Sequence, residues 1–423
     1  MRRLGIGNQK LPAWLDAACG LFADGPHRGS LVVAPALINA HDHLHLNRVP
    51  SLPQAGFFRN SYEWIEAFQA HFDAPEVKTA LAIPKDGRLY HGAVKNMLCG
   101  ATTVMHHDPW QDRFDDPDFP VKIVREFGWS HSLGLSGRRQ YGPPIAESFA
   151  ATPKTTPWFI HLAEGVDEVA GSELKALDQL GCLGSNTVII HGTGIGDEDL
   201  TTIIERRAHV VWCPASNLHL FGRTISVPRL RRLFDASLLA IGSDSRLTGA
   251  WDLLDELRVA RACSDFSAAE LVALATTRNH GALGLDDAGR NDWFVFESDG
   301  GDACEALLEL RRGAILAVTR GDEPVLLDDR FGPCFDEHIG ERIGPVNSPA
   351  HEHQADHPTT TFPPQPAQKV AQDQSRHRPV RSIRHPEAGE AWTLEPVHLD
   401  GRLKFVKSGL LAGLGAAHEP GLS

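Results

Sequence analysis

The chain lacks any apolar run approaching the roughly 20 residues that a membrane span requires. It also lacks a surplus of basic charge: 41 Lys and Arg stand against 54 Asp and Glu, for a formal net charge of -13. That balance leaves no electrostatic footprint for nucleic acid or an anionic membrane surface. The opening Met1-Arg2-Arg3-Leu4-Gly5 is followed by Asn8-Gln9-Lys10 and not by an apolar segment, so a secretory leader is not expected. Cysteine is sparse, with 7 in 423 residues, and Cys19, Cys99, Cys182, Cys213, Cys263, Cys304 and Cys334 form no CxxC pair. This excludes a disulfide framework and a cysteine-type zinc site, and it suits reduced thiols in the cytoplasm. What remains is ordinary for a globular enzyme: 42% apolar and 22% charged residues, on a chain long enough for one large domain with appendages.

One stretch organises the rest. The apolar run from Leu31 to Ile38 ends in Asn39-Ala40-His41-Asp42-His43-Leu44-His45. On a strand, residues i and i+2 share a face, so His41 and His43 can converge on one ion while Asp42 faces away. Imidazole is a common zinc ligand. Taken alone, the pair reads equally well as two surface histidines at a strand end.

Further apolar segments end the same way. Ala101 to Met105 runs into His106 and His107. Trp158-Phe159-Ile160 runs into His161 and then Glu164. Thr187 to Ile190 runs into His191, and Leu238 to Ile241 into Ser243-Asp244-Ser245. Helical patterns alternate with them, at 84–98, 168–180, 198–207, 228–236, 251–262 and 267–276, and another is expected over 118–127. Val210 to Asn217 reads as a strand passing into a loop. Alternation implies right-handed βαβ units and a parallel sheet. Polar residues at the ends of many different strands imply a closed α/β barrel of the TIM-like (β/α)8 type, because an open sheet gathers its site at one switch point. About seven strands are legible and none between 134 and 157, so the barrel is expected to be distorted or one strand short. The expected division is a lead-in over 1–30, the barrel over 31–290 and a small β-rich flanking unit over 291–330. A Pro- and His-rich disordered or linker segment over 331–390 follows, then a returning hairpin over 391–412.

Six pieces in order, PALINAHDHLH, GATTV, FIHLAEG, VIIHG, WCPASN and IGSDS, resemble the amidohydrolase superfamily, and within it the cyclic deaminase and triazine- or chloro-hydrolase branch. The resemblance implies one divalent ion, zinc or iron, held by His41, His43, His161 and Asp244. No lysine sits at a strand end where a carboxylated bridge between two metals would need one. Glu164 is expected to protonate the leaving or ring nitrogen, Asp244 to take a proton from metal-activated water, and His191 to bond the attacking water or the developing oxyanion. The implied reaction is hydrolysis of a carbon–nitrogen bond, most simply deamination of a cyclic amidine. Amide, lactam or dechlorinating hydrolysis on the same site is the alternative, and a silent barrel scaffold a further one.

His45, His107, Trp212, Asn217 and Arg246 are candidates for substrate contact. Trp212 stands where the branch often has histidine, so its indole either walls a planar substrate or fills the core. The expected partner is a small molecule, with no nucleic acid or membrane, and a homo-oligomer is left open.

Overall fold

The computed structural model describes residues 2–6, 11–25, 29–53, 56–138, 141–285, 291–321, 323–331, 381–384, 391–399 and 402–407. The linker expected over 331–390 therefore lies almost wholly outside the described residues.

The first apolar stretch, read above as a single strand over 31–43, is two strands serving two different sheets. β1 (Arg2–Gly5) and β2 (Ser30–Pro35) pair in parallel. The chain then breaks at Pro35-Ala36, since proline cannot continue a ladder. It resumes as β3 (Leu37–Asp42), and the helix Ala13–Asp24, unexpected in the lead-in, packs Leu15, Ala18, Cys19 and Phe22 beside β2.

Seven parallel strands follow: β4 (Ala101–His106), β5 (Lys122–Ile123), β6 (Gly128–Trp129), β7 (Trp158–Leu162), β8 (Thr187–His191), β9 (His209–Trp212) and β10 (Leu239–Ile241). They form two parallel sheets, β3-β4-β5 and β6-β7-β8-β9-β10. β5 replaces the helix expected over 118–127. Pro117 and Pro120 interrupt any helix there, and the β-branched Val121, Ile123 and Val124 favour extended backbone. No strand lies between 134 and 157 among the described residues, where the helix Ile145–Ala151 sits instead. After β9, Pro214 opens a helix, Pro214–Phe221, in place of the expected loop, because a missing N–H costs nothing in a first turn.

The two parallel sheets meet edge to edge at β3 and β10. The side chain of Asn279 donates to Ile38 O (2.6 Å) and Ile241 O (2.7 Å) and accepts from Ile241 N (2.7 Å). Just beyond β10, Asp244 N donates to His41 O at 3.0 Å. Gly242 allows this approach, since a Cβ there would lie 2.7 Å from His41 Cβ. One buried cluster draws Ala40, Met105, Phe159, Ile190, Val211 and Ala240 from both sheets, and the alternate residues Val104, Ile160, Ile189, Val210 and Ile241 pack into the main core.

The flanking unit is one sheet built from both ends of the chain. β11 (Trp293–Ser298), β12 (Ile315–Arg320) and β13 (Glu323–Asp328) continue from β2, and then come β14 (Arg381–Arg384), β15 (Ala391–Leu399) and β16 (Arg402–Lys407). The order is β1-β2-β11-β12-β13-β16-β15-β14, with the β15–β16 hairpin returning antiparallel to β13. Among the described residues no helix is long and apolar enough to cross a membrane, and the six described cysteines are free.

Candidate metal centre

His41 lies near the end of β3, His161 near the end of β7, His191 at the end of β8, and Asp244 three residues past β10. His43 has already left its strand, at φ -98 and ψ 80, and enters a short 3-10 turn. The three metal-competent atoms of His41, His43 and His161 nevertheless lie within 4.8 Å of one another. Nε2 of His161 is 3.3 Å from His43 Nε2 and 3.4 Å from His41 Nε2. Asp244 Oδ1 is 3.8 Å from His41 Nε2 and 3.9 Å from His43 Nε2. Ligands about 2.1 Å from a tetrahedral ion stand about 3.4 Å apart, so this donor set has the spacing of a three-imidazole, one-carboxylate site. Imidazole nitrogens turned on one another at this spacing can share one cation at their centre.

The backbone pays for the convergence. Ala163 (φ 52), His191 (φ 74) and Asp244 (φ 51) are left-handed and are not glycine. Each costs about 1–3 kcal/mol and turns a strand end sharply toward the site.

Second partners fix the ligands. His43 Nδ1 bonds Asp108 Oδ2 at 2.7 Å, and His161 Nδ1 bonds His131 O at 3.0 Å, while His41 Nδ1 finds no partner. Asp244 Oδ2 accepts from Ser216 Oγ and Thr248 Oγ1, both at 2.8 Å, and Oδ1 from Ser245 N at 2.7 Å. This leaves Oδ1 facing the imidazoles.

Asp42 does face away, as strand alternation requires. It is fully buried and receives Asn47 Nδ2 and Asn96 Nδ2, each at 2.8 Å, and Lys95 Nζ at 2.9 Å. Asn39 completes the brace, donating to Ser243 Oγ at 2.8 Å and accepting from Ser243 N at 3.0 Å.

Burial, reinforced by neighbouring histidines, holds His41 and His161 well below the usual imidazole range, so both are neutral and free to ligate. Burial works the same way on His43, but the charge and hydrogen bond of Asp108 outweigh it and lift this ring to about 9. For Asp244 burial is opposed by His43, His191 and the two hydroxyls, and its carboxyl falls below the usual value. Glu164, which faces the cavity, moves the other way: burial raises its carboxyl above the ordinary value.

His191 is fixed by Asn217. The amide's Nδ2 donates to Thr224 Oγ1 at 3.2 Å, so its Oδ1 must accept from His191 Nδ1 at 2.9 Å. His191 Nε2 then lies 3.5 Å from Glu164 Oε1. A neutral His191 is thus an acceptor toward the site. It can hold a water hydrogen, but it donates to an oxyanion only as the imidazolium.

A cavity of about 240 Å³ opens on this cluster. It is lined by the polar His43, His45, Asp108, His161, Glu164 and Asp244 and by the aromatic Trp64, Phe68, Phe72 and Tyr141. Of the expected substrate contacts only His45 lines it. His107 is buried behind His161, with ring centres 4.5 Å apart. Trp212 is wholly buried; its Nε1 donates to Thr224 Oγ1 at 2.6 Å and its ring packs near Phe266, so it fills the core. Asn217 acts behind His191. Arg246 lies over the Trp251 ring, 3.2 Å from its centre, away from the cavity.

The sequence reading missed Asp108, Lys95 and Asn96. Asp108 follows the His106-His107 pair directly and could have been suspected. Lys95 and Asn96 carried no signal, being one face of an unremarkable helix.

Residues 138–290 match the amidohydrolase family. The chain is 30% identical over 211 residues to a 5-methylthioadenosine/S-adenosylhomocysteine deaminase of Haloarcula marismortui, covering 45% of this chain and 47% of that protein. It is 27% identical over 306 residues to the enzyme of that name from Halobacterium salinarum, covering 63% and 68%. The chain spans about half the length of several curated relatives it matches, at 47%, 44% and 49%. Among solved structures, an adenosine deaminase from Xanthomonas campestris with bound zinc superposes with TM-score 0.53 at 17% identity, over 70% of this chain and 82% of that one. An atrazine chlorohydrolase from Arthrobacter aurescens with zinc gives TM-score 0.53 at 17% identity, over 73% and 88%. The amidohydrolase resemblance rests on the family match over 138–290 and on the deaminase relatives, and the solved structures show a likeness of fold alone.

Proposed function

From that amidohydrolase resemblance we propose that the chain is a metal-dependent hydrolase that deaminates a cyclic amidine, its substrate a flat heterocycle of the aminopurine kind. The observation carrying this is the meeting of three imidazoles and one carboxylate beside Glu164, a buried glutamate whose carboxyl burial raises above its ordinary value. The relatives named as nucleoside deaminases support deamination over the dechlorinating alternative.

We read the two parallel sheets as one eight-stranded TIM-like barrel, supported by the Asn279 staple and by the buried cluster shared between the sheets. The proposed division is a hydrolase unit from 36 to about 290, with both chain ends contributing the flanking sheet. A cytoplasmic setting is part of the reading and rests on the free cysteines.

His41, His43, His161 and Asp244 would hold the ion, for which zinc and iron both suit the donors. Bound there, it supplies Lewis-acid activation of water. The chain's own groups do the rest. Asp244 Oδ1, the oxygen of a pinned carboxylate that faces the imidazoles, takes a proton from the water. Glu164 gives its proton to the ring nitrogen of the amidine, which makes the neighbouring carbon electron-poor. His191 Nε2 holds a water hydrogen and so aims the oxygen. The water oxygen bonds to the amidine carbon; the proton taken by Asp244 passes to the exocyclic amino group, whose bond to carbon breaks so that it leaves as ammonia, and the remaining hydroxyl proton returns to Glu164 as the ring carbonyl forms. The aromatic walls sandwich a flat ring and keep bulk water out.

The test is release of ammonia by the zinc-loaded full chain from adenosine, 5'-methylthioadenosine and other aminoheterocycles. Activity that disappears in His161→Ala and in Glu164→Gln is expected. Zinc binding with no ammonia from any of these, but chloride or ring-opened product instead, would move the reading to the alternative hydrolysis.

A further inference from the structure

We propose that His45, His106 and Asp108 form a second divalent-cation site beside the first, with its own three donors. One ligand atom from each lies within 4.8 Å of the others. His45 Nδ1 is 3.6 Å from Asp108 Oδ2, and His106 Nε2 is 3.9 Å from the same oxygen. A zinc ion with bonds of about 2.0–2.2 Å needs these edges to close by only a few tenths of an ångström.

The independent sign is an unmet demand. His106 is 1% exposed, and its Nε2 has no hydrogen-bond partner; His45 Nδ1 is likewise buried without one. Buried polar atoms are almost always paired, and these two turn toward one carboxylate.

The other side of the His106 ring offers an acceptor that suits a ligand. Its Nδ1 lies 3.3 Å from Asp42 O and can donate there, which frees the Nε2 lone pair. Leu44 N competes for the same nitrogen at 3.3 Å, and a cation at Nε2 decides in favour of the carbonyl. Asp108 Oδ2 accepts one bond from His43 Nδ1, and a carboxylate oxygen has a second lone pair to offer. The ion has a way in, because His45 and Asp108 line the cavity. Two imidazoles and a carboxylate, completed by water, suit zinc. Asp108 ties the sites together: charge it gives to the second ion is withdrawn from its bond to His43, so filling this site weakens the first.

The experiment is equilibrium dialysis of the full chain against buffered zinc alone, with ions per chain counted by mass spectrometry. Wild type is compared with His106→Ala, His45→Asn and His161→Ala. His106→Ala and His45→Asn are each expected to lose one ion relative to wild type, and this ion is the weaker one. His161→Ala is expected to lose the tighter ion and keep the weaker. Zinc held anywhere else on the chain is common to all four proteins and cancels in the differences. If His106→Ala does not fold, His45→Asn, on a partly exposed ring, decides alone. A wild-type count left unchanged by either variant overturns the proposal, with His45 then no more than an ion-pair partner of Asp108. So does loss of both ions in either variant, which makes the cluster a mere support of the first site. A single ion removed by His161→Ala would refute the second site while leaving the hydrolase reading intact.

Discussion

Lys95→Met should loosen the strand that carries His41 without touching any of the proposed metal ligands. Lys95 Nζ stands 2.9 Å from Asp42 Oδ2 and donates to Asn47 Oδ1 at 2.7 Å, in side chains only 5% and 0% exposed. At an effective dielectric of about 20, two unit charges at that separation attract by about 6 kcal/mol. Removing both from water offsets most of this, so the pair adds little net stability. Removing one partner is different, because it strands a buried carboxylate between His41 and His43. The expected cost is about 3–5 kcal/mol. It should appear as faster hydrogen exchange over residues 37–46, a local measure that does not require two-state unfolding of so large a chain. Zinc affinity should fall with it, since a displaced Asp42 displaces the histidines on either side. Asp42→Asn combined with Lys95→Met should recover more than 2 kcal/mol of the summed single losses, because the double variant leaves no orphan charge. Exchange and zinc affinity in Lys95→Met indistinguishable from wild type would refute the argument that this buried pair braces the site.

Other outcomes follow from the site itself. Glu164→Gln should lower kcat by about 10²–10⁴-fold with the zinc count unchanged, as expected for loss of a general acid; a loss of zinc instead would make Glu164 a ligand. Burial raises the Glu164 carboxyl, so it keeps its proton above the ordinary carboxylate range, and kcat should fall as pH rises through that raised value. A kcat that climbs through the same region would exclude it as the acid. Asn217→Ala should cost about tenfold in kcat, the worth of one buried hydrogen bond, by freeing the His191 tautomer; equal loss of zinc would point to collapse of the site instead. Glu256 is pushed up to about 8 by burial, against hydrogen bonds from Ala215 N and Ala250 N. Its folded value lies above the unfolded 4.5, so the stability it contributes is present below that pH and is lost as pH rises toward 8. Glu256→Gln should flatten the decline of Tm between pH 5 and 8, and a decline as steep as in wild type would clear Glu256 of that role.

The flanking sheet bears on how the chain can be cut. β2 and β13 lie on opposite sides of β11 and β12, and the hairpin of β15 and β16 extends the same sheet. An edge left by removing the hairpin would expose the ladder of β13.

Local pattern alone was enough for the alternation of strands and helices, for the apolar segments ending in His41, His106, His161 and His191, and for Asp42 turning from the ligands. Each depends on a periodicity of two or 3.6 that neighbouring residues impose on one another. Pattern could not say that Pro35 hands the chain from one sheet to another, because the apolar run from Leu31 to Ile38 crosses the break between β2 and β3 without a change of character. Nor could it place Trp212 in the core, Asp108 behind His43, or Lys95 against Asp42. Those relations join residues tens of positions apart. They exist only once helix Lys85–Met97 packs against β3 and β4 brings Asp108 alongside His43, for a hydrogen bond or an ion pair is set by distance in space, which no spacing along the chain encodes.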